Sequence, residues 1–430
     1  MFGPAIMSGG KSSSAVVSLT ILLCIEAAVL AVAARPILDA PRAAANGTCQ
    51  SGVRPFGYNC EETPRIPGGR GDSGQLGGRQ EPGAAATRAP HGRGDVAGEL
   101  PRESLGYILA DSGYDVWIAN SRAPSTAADT PRYPPATRSF MFDRTLEAWN
   151  LIISIILTFG KDHAGVLDWS WDELASDDLS AVVQYVYARS GQQKMHYVGH
   201  SLGTLIAFAA LSERWQLGML RSAGLLSPIA YLERVSSPLA RAAADVFLGE
   251  ALYWLGLDEF DPTGETVHKL VTDVCSLPGI NCYNLMSVFT GDNCCLDNSS
   301  VQVFLAHEPQ ASATKNMIHL AQMIRRGTIA KYDYGNAADN TKHYGQATPP
   351  PYDVSAIPDD FPLFLSYGGK DSLSDPQDVA HLIRSLQSHD SDKLTVQYLD
   401  DYAHADFVMA GNANERVYAP LMAFFKLQEK

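Results

Sequence analysis

Met195-His196-Tyr197-Val198-Gly199-His200-Ser201-Leu202-Gly203-Thr204-Leu205-Ile206-Ala207-Phe208-Ala209-Ala210-Leu211 is the stretch that decides the fold. Its centre is a Gly-x-Ser-x-Gly pentapeptide. Residues 195–198 read as a short buried strand, and residues 204–211 as an apolar helix. A serine on so sharp a strand-to-helix turn is pushed into a strained, exposed pose, and the flanking glycines let neighbouring backbone pass close by. The pentapeptide alone recurs by chance in Gly-rich turns. With a strand before it and a helix after it, the stretch reads as a nucleophile elbow.

On both sides of this stretch, strands and helices alternate. Upstream, Glu103 to Gly113 reads as a helix with Leu105, Ile108 and Leu109 on one face and Gly113 as its stop. Tyr114 to Ala119 reads as a strand. Asp168 to Ser190 is an amphipathic helix with Leu174, Leu179, Val182, Val183, Val186 and Tyr187 inward, and Gly191 ends it. Downstream, Ser222–Leu226, Phe361–Tyr367 and Leu394–Leu399 read as strands. Pro376–Leu386 and Asn414–Leu427 read as helices. Residues 231–345 carry helical patterns without a clear sheet and read as an inserted cap. This alternation implies a mostly parallel sheet flanked by helices, the α/β-hydrolase pattern. Residues 103–230 form the first part of the core and residues 346–430 the second.

A serine hydroxyl is a weak nucleophile until a base takes its proton, and that base needs an orienting carboxylate. In this fold the chain order is Ser, then Asp or Glu, then His. Asp371 directly follows the strand ending at Tyr367 and is the expected acid. Asp375 and Asp378 are rivals, but they open the next helix, where an acid serves as a cap. His404, in the loop after the last strand, is the expected base. His200, inside the elbow, is expected to shape the turn. For the oxyanion hole, one donor is the backbone N–H of Leu202. The local candidate for the second is His91-Gly92-Arg93, with Arg93 as donor, although no apolar strand precedes it.

The remaining sequence bounds the setting. The chain has 430 residues, 46% of them apolar, and a net charge of −14 with no basic cluster, which argues against nucleic acid. Residues 1–34 hold Lys11 and an apolar run from Ala15 to Ala34, read as a cleaved secretory signal rather than a membrane anchor. Leu151 to Phe159 is apolar but too short to span a bilayer, and reads as a buried or lid helix. Removal of Cys24 leaves an even set: Cys49, Cys60, Cys275, Cys282, Cys294 and Cys295. Cys49–Cys60 and Cys275–Cys282 are plausible local bridges. The adjacent pair Cys294-Cys295 is expected not to bond to itself. No zinc-like spacing occurs, and neither metal nor cofactor is expected. Asn46 and Asn298 open glycosylation sequons. Residues 35–62 form a Cys-containing segment. Residues 63–102 are Gly-, Arg- and Pro-rich, with two Arg-Gly-Asp tripeptides read as chance, and are expected to be loop or disorder.

Several blocks resemble the acid lipase family, which includes gastric, lysosomal and plant lipases. They are Gly47-Thr48-Cys49-Gln50, Ser104–Leu109, Asp115–Asn120, Asp168–Leu174, Gly291-Asp292-Asn293-Cys294-Cys295, Tyr332-Asp333-Tyr334-Gly335, Gly368-Gly369-Lys370-Asp371 and Ala403-His404-Ala405-Asp406-Phe407. The resemblance implies hydrolysis of triacylglycerols or other neutral lipid esters at a lipid–water interface, in a secreted or lumenal compartment. It implies a mobile cap over an apolar acyl pocket, and it places the catalytic groups on Ser201, Asp371 and His404. The alternatives are a short-chain carboxylesterase and an impaired relative lacking a full oxyanion hole.

Between Glu62 and Ser104 the family has core strands and a Gln-His-Gly-Leu oxyanion segment, where this chain is Gly-rich. It also departs between Ser121 and Asp168. The early core strands are therefore expected to be missing or disordered. Asp95–Leu100 can be encoded so that a shifted frame spells Thr-Trp-Leu-Val-Asn-Ser, which suits the family before Ser104. Reading-frame errors are the expected cause, and a continuous frame in the transcript would overturn that expectation.

Overall fold

A computed structural model describes residues 104–119, 139–140, 168–245, 285–297 and 312–429, with a few isolated residues between 247 and 260. The segment 1–34 expected to be a signal, Arg93, Leu151–Phe159, both sequons, both Arg-Gly-Asp tripeptides and the proposed Cys49–Cys60 and Cys275–Cys282 bridges lie outside the described residues.

In chain order the upstream elements are α1 (Leu105–Asp111), β1 (Ile118–Ala119) and β2 (Ser139–Phe140). A long helix, α2, follows, built from Trp171–Glu173, a π-type stretch Leu174–Leu179, and Ser180–Arg189. Ser170 opens it with a capping box: its hydroxyl accepts the Asp172 amide while Glu173 accepts the Ser170 amide. Then come β3 (Met195–His200), α3 (Leu202–Ser212) and β4 (Leu220–Leu226). The segment after β4 carries α4 (Pro238–Asp245), β5 (Glu259–Phe260), α5 (Leu285–Thr290), β6 (Ser312–Ala313), α6 (Thr314–Arg326) and α7 (Ala337–Tyr344). The chain closes with β7 (Leu363–Gly368), α8 (Pro376–Ser385), β8 (Leu394–Leu399), α9 (Asp406–Met409) and α10 (Ala419–Gln428).

The main described sheet runs β3-β4-β7-β8, and every neighbouring pair is parallel. Parallel strands need crossovers, and α3 and α8 supply two of them. Side chains alternate between the faces. Leu225, Leu363 and Leu365 join Leu205, Ile206, Phe208 and Leu382 on one side. Leu226 and Phe364 join Leu105, Tyr107, Leu421, Phe424 and Phe425 on the other. Helices therefore cover both faces, as a buried parallel sheet requires.

Three expectations need correction. Tyr114–Ala119 pairs only at Ile118 and Ala119, antiparallel to β2. Met195–Val198 are half-buried, because β3 is an edge of the described sheet. The segment between β4 and β7 is not purely helical: β5 and β6 form a two-residue antiparallel pair.

Cys294 and Cys295, expected not to bond to each other, are joined by a disulfide. The physical reason is a carboxylate. The Cys294 and Cys295 amides donate to Asp406 Oδ2 and Oδ1 at 3.0 and 3.1 Å, so carboxylate and disulfide together hold the dipeptide in one turn. Sequence spacing does not report a constraint imposed from more than a hundred residues away.

Candidate active site

The elbow forms where the sequence places it. Ser201 sits between β3 and α3 with φ +53°, a left-handed backbone that a non-glycine residue adopts only under constraint. Its amide donates to the Leu226 carbonyl, which ties the turn to β4. Gly199 is required by space rather than torsion. A β-carbon there would lie 2.8 Å from the backbone carbon of Gly203, so the start of α3 can cross the end of β3 only over a bare α-carbon. Tyr197 adds a clamp, its hydroxyl donating to the Gly203 carbonyl at 2.8 Å.

Asp371 and His404 arrive from the far end of the sheet. Asp371 lies three residues past β7 and is 2% exposed. The Leu373 and Ser374 amides donate to its Oδ1 at 2.9 and 2.7 Å, fixing the carboxylate before any histidine approaches. His404 follows β8 and is 5% exposed. Its Nδ1 lies 2.9 Å from Asp371 Oδ2 and 3.0 Å from Oδ1, and its Nε2 lies 2.7 Å from Ser201 Oγ. A carboxylate only accepts, so Nδ1 carries the proton and Nε2 is left to accept from the serine hydroxyl. This geometry can move a proton from Ser201 to His404 as a new bond forms at Oγ.

The rivals are engaged elsewhere. Asp375 caps α8 through the Gln377 amide, and Asp378 accepts from the Arg234 amide at 2.9 Å. His200, expected to shape the turn, reaches across to the histidine loop instead. Its Nε2 donates to the His404 carbonyl at 2.9 Å, with the two rings 4.7 Å apart. Burial, then the neighbouring His404, hold its ring well below the usual histidine range, so it stays neutral. Of the oxyanion candidates, Leu202 opens α3, where the first-turn N–H groups have no partner within the helix. Arg93 lies outside the described residues.

Sequence reasoning missed the bed under His404. Its amide donates to the Thr290 carbonyl at 3.1 Å, and the Ala405 amide donates to Asn293 Oδ1 at 3.2 Å. Ala403 donates to Asp406 Oδ2 at 2.8 Å. The Gly291-Asp292-Asn293-Cys294-Cys295 block was the available signal, but no rule of spacing ties it to His404.

Cys294, Cys295 and Asp401 cluster within 4.8 Å, yet the two sulfurs are already bonded to each other and offer no thiolate. A cavity of about 300 Å³ lies along the outer edge of β3, lined by Trp117, Val183, Val186, Met195 and Tyr197. Ser201 does not line it.

Comparison with known proteins decides the lineage. A family model described as the alpha/beta hydrolase fold matches residues 90–223. Triacylglycerol lipase 2 of Arabidopsis thaliana is 43% identical over 404 residues, covering 90% of this chain and 89% of that protein. The chain belongs to the acid lipase family of α/β-hydrolases. Triacylglycerol lipase 1 of the same plant is 38% identical, covering 77% of this chain and 76% of its own length. Gastric triacylglycerol lipase of Rattus norvegicus is 32% identical, covering 86% and 89%. Family membership explains why the elbow, the acid loop and the histidine loop occur in one chain in this order.

Proposed function

We propose that this acid lipase family member hydrolyses carboxylic esters of neutral lipids, with Ser201 as nucleophile, His404 as base and then acid, and Asp371 as orienting carboxylate. The observation that carries the proposal is His404 bridging Ser201 Oγ at 2.7 Å and Asp371 Oδ2 at 2.9 Å. Ser201 Oγ attacks the ester carbonyl while its proton passes to His404 Nε2. Asp371 keeps Nδ1 protonated and balances the imidazolium. The oxyanion meets the Leu202 amide at the positive end of α3. His404 then returns its proton to the departing alcohol, leaving an acyl group on Ser201. Water, deprotonated by the same nitrogen, releases the fatty acid. No metal or cofactor takes part in these steps.

The similar proteins named triacylglycerol lipases support this substrate class. Residues 231–345 are proposed to be the cap over the acyl site, with residues 103–230 and 346–430 as the core. The apolar run near the N-terminus supports a secreted or lumenal location, and among the described residues no helix is long and apolar enough to cross a membrane. The test is to express the chain and assay triolein and a p-nitrophenyl butyrate substrate beside Ser201→Ala. Hydrolysis of both, lost in the variant, is expected. Cleavage of the short ester alone would replace the lipase reading with a carboxylesterase. A folded but inactive chain would make it an impaired relative.

A further inference from the structure

The turn from Thr290 to Cys295 does nothing in the reaction as derived, yet it holds the backbone of the histidine. The amides of Ala403, His404 and Ala405 all end on this turn or on the acid it grips. His404 donates to the Thr290 carbonyl and Ala405 to Asn293 Oδ1. Ala403 donates to Asp406, whose two oxygens also take the Cys294 and Cys295 amides. Asp406 is fully buried. The two cysteine amides reach one carboxylate only while their dipeptide stays folded, and the disulfide closes that dipeptide into a small ring. The grip continues beyond it: the Gly411 amide donates to the Cys295 carbonyl at 3.0 Å, and the Asp297 amide to the Met409 carbonyl at 2.9 Å. The acid loop rests on the same turn, since Ser372 donates to the Thr290 carbonyl at 3.3 Å and Gly291 pairs with Asp371. The bond is also within reach, because Cys294 is exposed and Cys295 half-buried.

We propose that the Cys294–Cys295 disulfide is a thiol-reducible latch that positions His404 through Asp406. The proposal rests on the hydrolase reading above. The reductant is a small dithiol. One of its thiolates attacks a cysteine sulfur and breaks the S–S bond, and its second thiol closes onto the first. The dithiol leaves as a cyclic disulfide, and the protein sulfurs gain its two electrons and two protons as thiols. Freed of the ring, the dipeptide no longer presents two amides to Asp406. Asp406, on which the Ala403 amide ends, loses its two bonds to the turn, and Nε2 drifts from Ser201 Oγ. Reactive geometry is steep in distance, so small displacements show as lost turnover.

The test uses the full oxidised chain and p-nitrophenyl butyrate. Treatment with dithiothreitol is expected to lower kcat about tenfold with KM little changed. Cys294→Ser with Cys295→Ser should reproduce that loss and no longer respond to dithiothreitol. Asp406→Asn keeps the bridge but replaces one accepting oxygen with a donor, and should show the same loss of kcat. If the double variant does not fold, iodoacetamide labelling of the 294–295 peptide in the wild-type chain is followed by mass spectrometry during reduction. Loss of kcat in step with that label supports the latch. Full label with unchanged kcat overturns it, as does a double variant with wild-type kcat. Activity that survives Ser201→Ala overturns the hydrolase reading instead, so the two failures are distinct.

Discussion

Ser201, Asp371 and His404 were legible from local sequence because each sits just beyond a strand, and strand ends are where this fold gathers chemistry. Ser201 announces itself by two glycines and a helix, Asp371 by the turn after β7, and His404 by the loop after β8. The groups that hold them were not legible. His200, Asn293, Asp406 and the Cys294–Cys295 bridge act through convergence in space, which no spacing encodes. A test at this scale is Asp371→Asn. The side chain keeps its shape, but one accepting oxygen becomes a donor, so Nδ1 of His404 no longer has to carry the proton. Steady-state kinetics should show kcat falling about 10³–10⁴-fold with KM little changed. A loss below tenfold would remove Asp371 from the mechanism.

At the scale of elements, α6 is fastened to the first turn of α2 by a buried polar knot. The His319 ring stacks on Trp171 at 4.2 Å, its Nε2 donates to the Ala330 carbonyl, and its Nδ1 lies 3.0 Å from Ser170 Oγ. One residue further on, Asp172 accepts from the Tyr332 amide and the Tyr352 hydroxyl. Burial moves the two groups in opposite directions. It is the leading cause that holds His319 down, from 6.5 to about 3, and Asp172 up, from 3.8 to about 6. His319 therefore contributes stability that is complete above pH 6.5 and is lost as the pH falls toward 3. Asp172 does the reverse: its stability is complete below pH 3.8 and is lost as the pH rises toward 6. Between about pH 4 and 6 the slopes oppose each other, each at most about 1.4 kcal/mol per pH unit. Thermal melts of Asp172→Asn should show stability dropping on acidification across that window more steeply than in the wild type. His319→Gln should show the opposite tilt, and parallel curves for all three proteins would refute the compensation. On the other face of the sheet, α10 presses against β4 where Gly224 has no side chain and Leu421 fills the space. Leu421→Ala should cost about 2–5 kcal/mol in denaturant unfolding. Of these, α2, β4 and α10 were read from period and punctuation with boundaries close to those observed, whereas α6 lies in a segment read only as helical in pattern. The half-burial of β3 and the β5–β6 pair escaped notice, because edges and two-residue pairs depend on neighbours distant in sequence.

For the whole molecule, a parallel sheet with helices on both faces brings groups separated by 203 residues, Ser201 and His404, to one point. The alternation of strand and helix patterns was enough to predict that arrangement, since parallel strands must be joined by crossovers. What the sheet achieves is a serine hydroxyl within 2.7 Å of a buried histidine, and substrate class, cap and latch all rest on the proposal that this primes the oxygen to form a covalent bond. The direct test is labelling with a fluorophosphonate, an electrophile that a primed serine captures irreversibly, followed by peptide mass spectrometry. A single adduct on the peptide carrying Ser201, formed by the native chain and lost in His404→Ala, is the predicted result. No adduct on the folded chain, or an adduct on a different serine, would remove Ser201 as the nucleophile.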